Sequence, residues 1–351
     1  MLWRYELKKA LLNQKGIWIL LVCLILKLVF LSAFPEQKDA RILLSQKQYN
    51  KYLLQLHGED TLEKSTWIIE EYEHFKEIKG MRSQMQEQFA RGEISEEEWK
   101  RYTEELNLAE LKLNSAAIFA EKAEQFSAQK EELPPAHYIY EYGWQTVYTL
   151  LRFPDVFLLF PLLLMVAQSF PAEGMSGMLP VLLSCRNGRR KLYRAKLFSL
   201  LAVCAAACAV FGGLEWAVFT CRGWLNDAAT PLYSITIFAE CPLELTLIQG
   251  YGLCLVIRFL VTAGFVVLVF GVSVWVQNTS NLLFAGLCLL ALPMLWSGGT
   301  MLFTHSGLLR GTNMLLWLGK LEIPLWLPML TISAYSIIMA FLGRRRLEKG
   351  M

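Results

Sequence analysis

Six basic side chains crowd eleven consecutive positions: Arg186, Arg189, Arg190, Lys191, Arg194 and Lys196. Glu173-Gly174 and Gly177 come just before them, followed by Leu182-Leu183-Ser184-Cys185. Basic residues this dense attract acidic protein surface or lipid phosphate. Three other charges stand alone in apolar surroundings: Lys27, Glu215 and Arg258. A lone arginine at the centre of a membrane helix costs roughly 2.5–3.5 kcal/mol on insertion scales. Arg258 therefore calls for an anion, either a substrate group or an ion pair with Glu215 or Glu244. Lys27 and Glu215 lie near the ends of their apolar runs, where long side chains snorkel to the interface.

Motifs for covalent chemistry do not occur. No G-x-x-x-x-G-K-[ST] cradles a phosphate, and Gly319-Lys320 runs into Leu321. H-E-x-x-H, the nucleophile elbow and the kinase set are missing. His57, His74, His137 and His305 lack ligand spacing, and the eight cysteines form no C-x-x-C. Cys221 and Cys241 bracket one loop and leave both pairing and free thiols open. No basic patch interleaves with stacking aromatics, which argues against nucleic acid. The expectation is a chain with no catalytic residues, no metal and no cofactor of its own, and hence not an enzyme.

The elements that hold these residues are helices. Hydrophobic residues make up 54% of the 351 positions and mean hydropathy is +0.34, too apolar for a soluble chain of this length. The apolar residues fall in runs long enough to cross a bilayer. The expected fold is all-α, a polytopic membrane protein with six transmembrane helices. The spans are read at about 17–34, 153–170, 197–219, 245–276, 282–303 and 325–343, with Pro154 and Pro161 kinking the second. Residues 1–16 read as an amphipathic helix on the membrane face, basic side toward headgroups. Residues 36–132 are polar, with apolar side chains three and four apart. Ser95 and Glu98 form a capping box there. Tyr138, Tyr140, Tyr142, Trp144 and Tyr148 suit a membrane boundary. The domains are thus 1–34, an N-terminal interfacial helix and first span; 35–143, a large helical, coiled-coil-like insert; and 144–351, the membrane domain.

Charge sets the orientation. Pro35 to Gly143 holds 22 Asp and Glu against 14 Lys and Arg. The basic segments Arg4–Lys15, Arg186–Lys196 and Arg344–Lys349 fall on one face by span counting. The positive-inside rule makes that face cytoplasmic, with both termini, and makes 35–143 extracytoplasmic, in a plasma membrane.

This layout resembles the permease subunits of ABC-2 type transporters. The likeness rests on the basic N-terminal helix, the first span, the large insert and five further spans. It rests also on Phe170-Pro171-Ala172-Glu173, Gly174, Gly177, Leu182-Leu183-Ser184, Arg186 and Lys196. Cys185 stands where family members usually have proline. The resemblance implies an exporter energised by a separate ATP-binding subunit, which holds ATP and magnesium. It implies a second permease, identical or related, and contact with membrane lipid. Glu173, Gly174, Gly177, Arg186, Arg189, Arg190 and Lys196 then belong to an ATPase-coupling loop. A sensor or scaffold whose helical insert binds a ligand is the alternative; an ATP-independent channel or carrier is a third reading. Cysteine labelling of sealed cells tests the orientation. Cysteines placed in 36–132 should react with an impermeant reagent and Gly188→Cys should not; the reverse pattern contradicts it.

Overall fold

A computed structural model describes residues 2–128, 134–152, 155–175, 188–239, 241, 244–276, 278–295, 314–315, 322–323 and 326–349. The chain is mostly helical. In chain order, α1 (Leu2–Lys8) runs into a π-helical turn, Lys9–Asn13, and α2 is Gly16–Ala33. Then come α3 (Ala40–Leu56), β1 (Gly58–Glu59), α4 (Leu62–Gly80), α5 (Arg82–Ala90), α6 (Glu96–Ser127) and β2 (His137–Tyr138). They are followed by α7 (Tyr142–Arg152), α8 (Val156–Ala167), α9 (Pro171–Met175), α10 (Gly188–Cys221), α11 (Leu247–Ser273), α12 (Thr279–Leu295) and α13 (Trp326–Lys349). A second pair of two-residue strands, β3 (Met314–Leu315) and β4 (Glu322–Ile323), lies between the last two helices.

Two compact units form. The apolar unit takes Met1–Pro35, Val147–Gly223 and Tyr251–Met351; the polar unit takes Glu36–Thr146 and Trp224–Gly250. Among the described residues, four helical stretches are long and apolar enough to cross a membrane: Gly16–Ala33, Tyr142–Ala167, which takes in α7 and α8, Arg189–Cys221 and Leu247–Ser273. Thr279–Leu289 is a shorter apolar stretch. The expected fifth span, 282–303, is described only as far as Leu295. In the apolar unit α8 is the most enclosed helix: Leu158, Leu162, Leu163 and Val166 are each at most 1% exposed. Backbones approach closely where glycine permits. A Cβ on Gly271 of α11 would sit 2.8 Å from the Met339 backbone of α13, so a larger residue would push the two helices apart.

In the polar unit α6 is central and packs on α3 and α4. Ile42, Tyr49, Ile68, Phe75, Tyr102 and Phe119 are buried, as the spacing predicts, while Leu43 of the same pattern is exposed. The tyrosine and tryptophan cluster is core rather than boundary: Tyr138, Tyr142 and Trp144 are buried, and Phe126 meets Tyr138 at 5.1 Å. The unit also gains a segment that the linear domain reading assigned to 144–351. Trp144 Nε1 donates to the Asn226 carbonyl at 2.6 Å, and Tyr233 Oη to the Pro134 carbonyl at 2.6 Å. A Cβ on Gly143 would come within 2.8 Å of the Trp224 backbone. Glycine alone fits that approach.

The helix ends follow local chemistry. Ser95 Oγ accepts from Glu98 N at 3.2 Å, and Glu98 returns a bond to Ser95 N at 2.9 Å, completing the capping box. Asp39 caps α3 by accepting from Arg41 N at 2.8 Å. The Arg41 side chain beside it holds the Asp39 carboxyl below its ordinary range. A depressed native pKa gives stability that is present above the unfolded value and fades as pH falls through the folded value. Ser95→Ala should cost about 1 kcal/mol and raise amide exchange in the first turn of α6. Acidification below the ordinary Asp range should loosen the start of α3. Unchanged exchange at both helix starts would contradict the capping account.

Candidate functional site

Glu173 and Lys196 meet inside the apolar unit, not on its surface. Helix α10 buries Leu192, Tyr193, Lys196, Ser199 and Leu200 and exposes Arg190, Lys191 and Arg194. That division follows the helical repeat, which sets position 196 one turn from both 192 and 200. The Lys196 ammonium donates to Glu173 Oε1 at 2.7 Å, to Glu6 Oε2 at 3.1 Å and to the Ser169 carbonyl at 3.0 Å. All three of its N–H groups are used. Lys9 pairs with the same carboxylate oxygen of Glu173. The cluster holds two cations and two anions, with the Lys196, Glu173 and Glu6 side chains at most 9% exposed.

This cluster locks four chain segments together. Glu6 comes from α1, Lys9 from the π-helical turn, Glu173 from α9 and Lys196 from α10. Ser199 Oγ donates to the Trp3 carbonyl at 2.8 Å and Gln14 Nε2 to the Gln168 carbonyl at 3.2 Å, adding neutral ties. The N-terminal helix therefore departs from the expected arrangement. Lys9 turns inward, while Leu2, Trp3, Tyr5 and Leu12 are exposed. Gly174 lies in α9, its N–H donating to the Phe170 carbonyl at 3.0 Å. Arg189 and Arg190 reach the C-terminal end of α13, donating to the Glu348 carbonyl at 3.2 Å and to Glu348 Oε2 at 3.0 Å. Gly177 and Arg186 fall outside the described residues.

A second neutral cluster lies among the long apolar helices. Arg258 of α11 donates to Glu215 of α10 at 2.8 Å and stands 3.8 Å from Asp155. Lys27 of α2 pairs with both Asp155 and Glu215. All four side chains are 5–7% exposed. Lys27 and Glu215 thus do not snorkel; they meet between α2 and α10. The Phe211 ring lies 5.3 Å from the Lys27 ammonium and shields it further.

Asp155 is the member that the sequence does not announce. It is the N-cap of α8, accepting from Leu158 N at 3.2 Å. A helix that starts inside an apolar region exposes unpaired N–H groups, and a capping carboxylate satisfies them. The carboxylate then needs cations, which Lys27 and Arg258 supply. The sequence signal was Pro154-Asp155 ahead of an apolar helical run. Glu6 had a fainter signal as the one acid in the basic N-terminus.

Both clusters can hold the helices that share them together. Each is charge-neutral, and every member side chain except that of Lys9, 24% exposed, is at most 9% exposed. No group of three or more His, Cys, Asp or Glu among the described residues is placed to hold a metal ion. Comparisons with family models, with curated proteins and with solved structures find no match.

Removing one member of a buried pair leaves its partner uncompensated, at about 3–5 kcal/mol. Arg258→Leu should lower the unfolding midpoint in detergent, and adding Glu215→Leu should recover much of the loss. Additive losses in the double variant would contradict direct pairing.

Proposed function

We propose that the chain is the permease subunit of an ABC-2 type exporter, driven by a separate ATP-binding subunit. The observation that carries this reading is the buried Glu173–Lys196 pair with Glu6 and Lys9. It makes the ends of α1, α9 and α10 one mechanical body. A partner that pushes on the loop between α9 and α10 then moves α10 and the N-terminal helix together. Glu173 and Lys196 act as positioning residues in this scheme. The contact surface includes the exposed Arg190, Lys191 and Arg194; Gly177 and Arg186 are assigned to it by the resemblance alone.

The six-span, termini-inside topology belongs to the same proposal. Its support is the way that distant segments gather. Counting spans puts 35–143 and the 222–244 loop on one side of the membrane, and the polar unit contains Glu36–Thr146 with Trp224–Gly250. The same count puts the N-terminus, the start of α10 and the C-terminus on the other side. There Glu6 meets Lys196, and Glu348 meets Arg190 at 2.8 Å. Basic residues dominate this second set, which the positive-inside rule assigns to the cytoplasm. Trp18, Val22, Ile25 and Val29 leave the flank of α2 apolar and exposed, available to lipid or to a second permease. Rigid-body movement of the linked helices would open the path for cargo.

The test uses the chain purified with the ATP-binding subunit that accompanies it. Glu173→Ala should keep the complex but lower permease-stimulated ATP hydrolysis. Arg186→Glu should weaken the complex itself. Wild-type binding and hydrolysis in both variants would overturn the coupling assignment.

A further inference from the structure

The polar unit holds a cavity of about 360 Å³ lined by charged and amide side chains. Its lining includes Lys38, Asp39, Arg41, Glu121, Lys122 and Glu141. The volume falls at the small end of ligand pockets and far exceeds that of one water. Most of the charged groups are already engaged. Arg41 donates to Glu121 at 2.6 and 2.9 Å and to Asp39 at 3.0 and 2.9 Å. Glu141 accepts from Thr236 N at 2.8 Å and from Thr236 Oγ1 at 2.9 Å.

Lys122 is different. Its residue is 3% exposed, and its ammonium lies 3.3 Å from Glu141 Oε1, yet it makes no hydrogen bond. A buried ammonium carries three donors, and leaving them unmatched is costly. Glu141 supplies charge balance without the directed acceptors. Lys122 lines the cavity, and its ammonium, covered in this arrangement, would reach a ligand's acceptors there by rotation of the side chain. Three cations and three anions line it, so a ligand with no net charge disturbs that balance least.

We infer that this cavity of the polar unit binds a small zwitterion, with an anionic oxygen of the ligand on Lys122 and its cationic end toward the carboxylates of the lining. The oxygen chemistry is that of a carboxylate or a phosphoester. A free peptide offers the first, and a lipid headgroup such as phosphoethanolamine offers the second. Gln145 lines the same cavity and is partly exposed, so it provides a place to block the cavity without altering Lys122. The inference does not depend on export, because it concerns the polar unit alone.

Calorimetric titration of the full chain in phosphatidylglycerol nanodiscs tests this. The probes are triglycine, glycerophosphoethanolamine (a phosphodiester, and so without net charge) and the uncharged N-acetylglycinamide. One of the two zwitterions should bind and so identify the source, and the uncharged probe should not. Lys122→Met should weaken binding by about tenfold or more, the loss expected for charge-assisted hydrogen bonds. Gln145→Trp should block it while leaving Lys122 in place. Lys112→Met, elsewhere on α6, should leave binding unchanged. Failure of both zwitterions to bind the wild type, or equal binding by Lys122→Met, would overturn the proposal.

Discussion

A charge enclosed by apolar helices has no water to answer it, so its partner must come from the protein. That constraint organises the apolar unit. Arg258 and Lys27 are held by Glu215 and Asp155, and Lys196 and Lys9 by Glu173 and Glu6. Each cluster draws on at least three helices. Helices that bury only aliphatic side chains are held by interdigitated packing. Helices that share an ion cluster are held further, because sliding strands a charge. The two clusters therefore link the helices that share them.

This arrangement gives the exporter proposal its mechanical content. A permease without a phosphate-cradling loop must receive force from elsewhere, and the receiving segment must be tied to the helices that line the path. The cluster at Glu173 ties the loop to α1 and α10. The cluster at Glu215 ties α10 to α2, α8 and α11 further along. Movement of α10 thus reaches every helix that contributes a charge. Arg258 is satisfied inside this network, so it is a link between helices before it is a contact for cargo.

Much of this was legible in the sequence, and the exceptions have physical causes. The polar helices were readable because Tyr49, Tyr52, Leu53 and Leu56, and then Ile68, Tyr72 and Phe75, fall three and four apart. The α6 start was readable because Ser95 and Glu98 are a local device. An ion pair for Arg258 with Glu215 was among the expected solutions. What remained hidden depends on distant partners. Asp155 acts as a cap and as a counter-ion at once, and only the second role needs residues far along the chain. The aromatic cluster from Tyr138 to Trp144 was readable as amphipathic but not as core, since its neighbours Tyr49, Phe119 and Phe126 lie far upstream. The joining of Trp224–Gly250 to the polar unit left no local signal either. Lys196 was placed with the surface basics because density of charge masked its position on the apolar face of α10.

The central claim is that an ATP-hydrolysing partner meets the start of α10 on the cytoplasmic side. A photo-crosslinker at Lys191, exposed on that helix, tests it in inverted membrane vesicles. The account predicts one adduct, with an ATP-hydrolysing chain, whose yield changes when ATP is added. An absence of any adduct, or modification of position 191 only from the outer side of sealed cells, would contradict it.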